Sequence, residues 1–239
     1  MAPPPSDTWQ VHPHGPLEPL AENLWRVQGT LPRMSLERVM TVVRLSTGAL
    51  VVHSAIALAE DAQRQLEALG TPTWLLVPNG YHRLDAPAYK KRYPALRVLC
   101  PRGSRAAVQQ KVPVDGTYED FPADDALQLE TLHGVAEVEG ALRVRSRDGT
   151  SVVLNDVVFN MDRRRDVLGR LFTTLMGSAP GPRVSRLARL ALVKDARALK
   201  ADLERYAALP DLVRLLVSHD KVAHGGDAAQ ALRQAATYL

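Results

Sequence analysis

A chain of 239 residues with 46% hydrophobic and 23% charged side chains suits one large folded domain or two small ones. Its single cysteine, Cys100, excludes an intrachain disulfide framework and a thiolate zinc cluster. The net charge of +4 and the 5% aromatic content do not point to a base-stacking nucleic-acid surface.

No apolar run approaches the roughly 20 residues that cross a bilayer. The Pro-rich start carries no basic region followed by an apolar one. The expectation is therefore a cytoplasmic protein with no membrane or nucleic-acid partner and a small-molecule ligand.

In chain order, residues 1–16 carry His12 and His14 and read as a flexible leader, with one domain over 17–239. Trp25 lies in an alternating edge strand. Two apolar runs, 39–45 and 49–53, flank Ser46-Thr47-Gly48 as a hairpin. Helical spacing over 60–69 ends at Gly70. A buried strand follows over 73–77, and a short helix over 86–93 stops at Pro94.

A strand at 96–100 and a helix at 102–111 come next. Strands are then expected at 126–132, 141–146 and 151–159, and helices at 162–176, 184–193 and 196–209. A last strand covers 212–217, and a terminal helix over 227–239 has Asp227 placed to cap it. The mixture predicts an α/β or α+β protein.

The organising strand, 73–77, ends at Pro78-Asn79-Gly80 and at once delivers His82, Arg83 and Asp85. Strand ends are where folds of this class assemble sites. His53, His82, His133 and His219 all fall just past expected strands, and Asp156 falls inside the apolar 152–159 run. A carboxylate there has to be paired, hydrogen-bonded or metal-bound. Imidazole nitrogens and a carboxylate converging from separate strand ends are what a zinc, iron or manganese ion requires. Taken singly, each histidine also reads as a hydrogen-bonded structural residue. Cys100 reads as a buried small hydrophobe. The arginines of 183–200 read as the solvated face of helices whose leucines point inward, or as an anion-recognising rim.

The order of these pieces resembles the metallo-β-lactamase superfamily, more narrowly an uncharacterised subgroup with a degenerate His-x-His-x-Asp-His motif. The resemblance runs from about residue 17 to the end. It rests on Val51-Val52-His53-Ser54-Ala55 at a hairpin corner, Asn79 to Leu84 at the central motif, Leu132-His133-Gly134, Leu154-Asn155-Asp156 and Val217-Ser218-His219. It implies an α+β fold, an αββα sandwich of two facing mixed sheets with helices on the outer faces.

In strict register Asn79 and Tyr81 stand where the family has histidines, Arg83 where it has an aspartate and Leu84 where it has the last histidine. Arginine offers no lone pair. The register therefore implies no di-metal centre, with Arg83 pointing into the old metal cavity, and weak or absent metal binding.

What the resemblance leaves is one divalent ion, zinc, on His133, Asp156 and His219, with His82 one place out of register but able to swing in as a further ligand, or no ion. His82 and Asp85 would take over water orientation as catalytic groups. Asn79, Tyr81, Arg83 and His53 would contact a small substrate, anionic or neutral. Two readings stay open: a mono-metal hydrolase, and a non-catalytic binding module that keeps the fold without metal. A nucleic-acid binder using the arginine segments ranks last, lacking aromatic interleaving and a helix-turn-helix signature.

Overall fold

The computed structural model describes residues 7–32, 34–162, 167–219 and 221–239. Its first sheet has seven strands in the order of the sequence: β1 (Glu18–Ala21), β2 (Leu24–Leu31), β3 (Met34–Arg44), β4 (Ala49–His53), β5 (Thr71–Leu76), β6 (Arg97–Cys100) and β7 (Gly116–Thr117). The hairpins β1 to β4 pair antiparallel, and β4 to β7 run parallel. Parallel strands need crossovers, and here α1 (Glu60–Leu69) and α2 (Ala86–Arg92) make two of them. A 3-10 turn at Arg102–Ser104 leads into α3 (Arg105–Gln109).

The second sheet holds β8 (Leu127–Thr131), β9 (Gly140–Ser146), β10 (Gly149–Val153), β11 (Leu212–Leu216) and β12 (Ala223–His224), in the order β12-β11-β10-β9-β8. Only β10 and β11 are parallel in it. The long connection between them carries α4 (Val167–Leu175), α5 (Arg186–Ala191) and α6 (Ala196–Ala207), and α7 (Gly226–Ala236) follows β12.

Period-two alternation explains the layers. Val51, Trp74, Leu76 and Leu99 point into the gap between sheets and meet Leu142, Val144, Val153 and Leu216. Their sequence neighbours Val52, Leu75 and Val98 point outward onto Leu66 of α1, Tyr89 of α2 and Val108 of α3. On the far side Val152 and Leu215 pack on Leu199 and Leu203 of α6 and Leu232 of α7. The result is the expected four-layer αββα sandwich. Burying each such side chain contributes about 1.5–3 kcal/mol, so the strands form a stiff frame for the turns that leave them.

Gly70 closes α1 as expected. Its φ of +157° and a Cβ that would meet the Gly48 carbonyl oxygen at 2.3 Å admit no other residue there.

Several expectations are corrected. Within residues 7–16 two side chains are tied down: Trp9 lies tilted against Tyr89, ring centroids 4.9 Å apart, with its indole N–H donating to the Leu58 carbonyl, and His14 Nε2 accepts from the Ala59 amide. Residues 1–6 lie outside the described residues. β10 stops at Val153, so Asp156 sits in the turn beyond the strand rather than within it. Gly225, not Asp227, holds the cap position of α7. The arginine helices do not turn all their leucines inward, because Leu187 and Leu190 of α5 are exposed. Cys100 is fully buried, as expected, and burial pushes its thiol up to about 11. Among the described residues no helix is long and apolar enough to cross a membrane.

Candidate functional site

The parallel strands β4, β5, β10 and β11 all end on one edge of the sandwich, and there a cavity of about 540 Å³ opens. Most of its wall is apolar, including Leu36, Ala55, Phe159, Leu187 and Leu192. Polar groups gather at one place: His82 from the loop after β5, Asp156 from the turn after β10 and His219 from the turn after β11. β10 and β11 are parallel neighbours, so their exit turns lie side by side, and β5 delivers His82 from the facing sheet.

His82 Nε2 and His219 Nε2 lie 3.0 and 3.1 Å from the same oxygen, Asp156 Oδ1. Each ring is held from behind. His82 Nδ1 meets the Ser54 hydroxyl at 2.9 Å. His219 Nδ1 meets the Glu37 carbonyl at 2.6 Å and its ring stacks on Phe159 with centroids 5.1 Å apart. A carbonyl only accepts, so Nδ1 of His219 carries a proton. Its Nε2 then faces a carboxylate either with a second proton or across a cation. The cluster is built around one positive charge.

Asp156 is kept ready for that charge. Burial alone would raise its carboxyl. The charge and hydrogen bonds of His82 and His219 outweigh burial and hold it well below the usual carboxylate range. Its other oxygen accepts from Asn79 Nδ2 at 2.8 Å. Asn79 also donates to Glu139 at 3.1 Å, and its own oxygen accepts from the Tyr81 and His82 amides at 2.8 and 3.1 Å. Glu139 is fully buried and anchors the Val157 amide at 3.0 Å. Burial, and then the Asp156 charge, push its carboxyl up to about 8.

The donor set fits a metal ion of the kind this fold implies. Ligand atoms of His82, Asp156 and His219 all lie within 4.8 Å of one another. Tetrahedral ligands at about 2.0–2.1 Å from zinc stand roughly 3.3 Å apart, close to the observed contacts. A backbone carbonyl behind one imidazole and a hydroxyl behind the other are the partners that orient metal-binding histidines.

Other expected site residues are placed differently. His133 is not in the cluster. Its side chain is 74% exposed, and Asp202 of α6 takes both its amide, at 2.7 Å, and its Nδ1, at 3.0 Å. Gly134, at φ +76°, presses the turn onto α6, where a Cβ would meet the Asp195 carbonyl oxygen at 2.1 Å.

Arg83 does not enter the cavity either. Its guanidinium donates to the Ala107 carbonyl and, at 3.3 Å, to Gln110. The expectation that Arg83 points into the old metal cavity is thereby corrected.

Asp85 is buried and committed to Arg38, whose Nη2 lies 2.6 Å away though off the angle of a hydrogen bond, and to the Ala57 amide at 3.1 Å. It does not line the cavity, so the water-orienting role expected of it has no support; Arg38 lines the cavity instead. Tyr81 lines it at the rim and is 72% exposed. His53 is buried, with no hydrogen-bond partner for either ring nitrogen among the described residues. Burial, and then His82, lower its pKa to about 3, so it is neutral and makes no substrate contact through the cavity wall.

Sequence reasoning missed Arg38, Ser54 and Glu139. Arg38 and Glu139 carried one legible signal, a charge beside apolar neighbours (Val39, Val138). Ser54 carried none before its φ of +56° was seen, an uncommon conformation for serine that aims its hydroxyl at His82.

No protein-family model matches the chain, and no curated protein matches its sequence. Solved structures do resemble it. The DIM-1 metallo-β-lactamase exposed to ceftazidime superposes with a TM-score of 0.62 at 12% identity, over 95% of this chain and 98% of that one. A metallo-β-lactamase from Erythrobacter litoralis with β-mercaptoethanol in its active site gives 0.63 at 16%, over 93% and 96%. The FIM-1 metallo-β-lactamase from Pseudomonas aeruginosa, in a mono-zinc form, gives 0.60 at 11%, over 97% and 98%. The chain therefore has the metallo-β-lactamase fold.

Proposed function

We propose that this metallo-β-lactamase-fold chain is a hydrolase of small, mainly apolar substrates. It works with one divalent ion, zinc by its donor set, held by His82, Asp156 and His219. The observation that carries the reading is the convergence of two imidazole Nε2 atoms on one buried carboxylate oxygen at 3.0 and 3.1 Å, on the wall of an apolar cavity.

A bound ion of this kind supplies a water whose pKa falls to about 7 and polarises a carbonyl. The protein supplies the rest. Ser54 and the Glu37 carbonyl aim the two rings. Asn79 holds the free oxygen of Asp156. Phe159, Leu187 and Leu192 exclude bulk water and take the substrate's apolar part. Arg38 also lines the wall, its charge paired with Asp85 behind it. His82, expected as a catalytic group, becomes a ligand in this reading. The mono-zinc form of a fold neighbour supports a single ion.

A second reading, a non-catalytic binding module, is favoured by Asn79. It stands at a histidine position of the central motif, and with His82 and His219 it already satisfies Asp156 by hydrogen bonds alone.

The test is zinc titration of chelator-treated protein by calorimetry, for wild type and His219→Ala, with turnover of nitrophenyl esters and a chromogenic cephalosporin beside it. The expected result is a single equivalent in wild type, none in the variant, and zinc-dependent turnover. Uptake that survives His219→Ala would sink the metal site. Uptake without turnover on any substrate would select the binding module.

A further inference from the structure

The connection between β10 and β11 has its polarity reversed on one side. On α4, Val167, Leu171 and Leu175 recur at every fourth position, which places them on one face. They are 74%, 65% and 63% exposed, while Gly169 and Thr173 are buried. On α5, Leu187 and Leu190 are 54% and 82% exposed. Among the described residues eight large hydrophobic side chains stand exposed, and these helices hold five of them.

The two helices are joined as one unit. The Arg186 amide donates to the Met176 carbonyl at 2.9 Å, and a Cβ on Gly177 would meet the Arg186 side chain. The unit is tied to the site through Phe159, whose backbone exchanges two 2.9 Å hydrogen bonds with Arg183. Leu187 itself lines the cavity, as do the exposed Tyr81 and Leu84.

Charge on this stretch is of one sign. Between positions 167 and 194 stand Arg170, Arg183, Arg186, Arg189 and Lys194, with no acidic residue. All of these but Arg183 are exposed.

We propose that the α4–α5 face docks on an anionic lipid surface. Exposed aliphatic side chains interleaved with arginines are what an interfacial helix needs, and no spanning segment is required. A second copy of this chain fits poorly. A two-fold interface would set the same all-basic segment against itself. A protein partner of acidic surface fits less well than lipid, because among the described side chains the large exposed apolar residues of α4 and α5 are one valine and four leucines. They lack the tyrosine, tryptophan or methionine anchors that protein interfaces favour. The cavity opens beside this face, so a lipid surface would meet the molecule where its apolar pocket is lined by Leu187.

The test is co-sedimentation of the full chain with vesicles of phosphatidylcholine alone and of phosphatidylcholine with phosphatidylglycerol, at low and high salt. Wild type is expected to pellet with the anionic vesicles at low salt and to be released by high salt, which screens the arginines. Arg170→Gln/Arg186→Gln/Arg189→Gln is expected to bind roughly 100-fold more weakly. Leu171→Asp/Leu190→Asp, at two exposed positions outside the cavity wall, is expected to lose binding while keeping the wild-type circular dichroism and melting temperature. A single Leu190→Asp serves if the double variant misfolds.

Absence of wild-type binding to anionic vesicles would overturn the proposal. So would equal binding by the leucine variants, or a dimer in sedimentation velocity that those variants dissolve. None of these readouts depends on zinc, so the docking surface stands or falls apart from the hydrolase reading.

Discussion

His82 and His133 were both expected beside Asp156 in one site, and the structure gives them aspartate partners of opposite character. At Asp156 two imidazoles converge on one oxygen, side chains are at most 14% exposed, and a cavity opens above. At Asp202 one imidazole, 74% exposed, lies against a carboxylate that is also bound to a backbone amide and to Arg205. Both pairs have similar lengths, 3.0 Å for His82 and 3.0 Å for His133. Distance does not separate them; surroundings do. Water weakens the exposed contact to little more than a local clamp. Desolvation and a second imidazole make the other one a cluster whose donor atoms fit a cation.

The comparison is tested most severely at the frame of the buried side. Asp85→Ala leaves the Arg38 guanidinium buried without its carboxylate. It should cost about 3–5 kcal/mol of stability, read by urea denaturation. A loss below 1 kcal/mol would mean that water reaches this wall and the region is not buried in the sense argued.

Next in size is Asp156→Asn. It keeps the shape but removes the only anionic ligand. Zinc affinity should fall by more than the about 10–100-fold that loss of an outer partner costs. Wild-type affinity in this variant would erase the contrast between the two aspartates.

The third concerns pH. His53 titrates near 6.5 when exposed and at about 3 in the fold. Below 6.5 the unfolded chain therefore binds a proton that the folded chain refuses. Its contribution to stability falls by up to about 1.4 kcal/mol for each pH unit between those values. Urea melts of wild type and His53→Leu at pH 7 and pH 5 should show the variant gaining about 2 kcal/mol on wild type at the lower pH. An equal gap at both pH values would show that the imidazole is not held neutral.

The smallest effect belongs to the exposed side. His133→Ala should cost about 0–1 kcal/mol and leave zinc affinity unchanged. A lost equivalent of zinc would restore His133 to the site.

Most of the fold was legible because alternation and turn residues are local. Helix α1 fell on its expected bounds, and β4, β6 and β11 within a residue of theirs. The site was half legible. Asp156 and His219 were placed by the strands that precede them, and both strands are buried on two faces, so their exits are determined. His82 depended on a loop. Strict register pointed Tyr81 and Arg83 inward, but the Asn79 side chain caps the Tyr81 and His82 amides and turns His82 to Asp156. His133 failed for a long-range reason. Its partner Asp202 lies 69 positions away on a helix, and nothing near His133 in sequence announces it.

One feature of β3 reaches beyond the site. The Val39 amide donates to the Ser218 carbonyl at 2.8 Å, and the Glu37 carbonyl holds His219 at 2.6 Å. β3 belongs to the first sheet and residues 218–219 leave the second, so these bonds act as a tie rod between the two halves of the sandwich. Prising the sheets apart at this edge and misaiming the His219 ring are one mechanical event. A ligand gripped by that ring stiffens the molecule across its seam, and any force that opens the seam loosens the ligand.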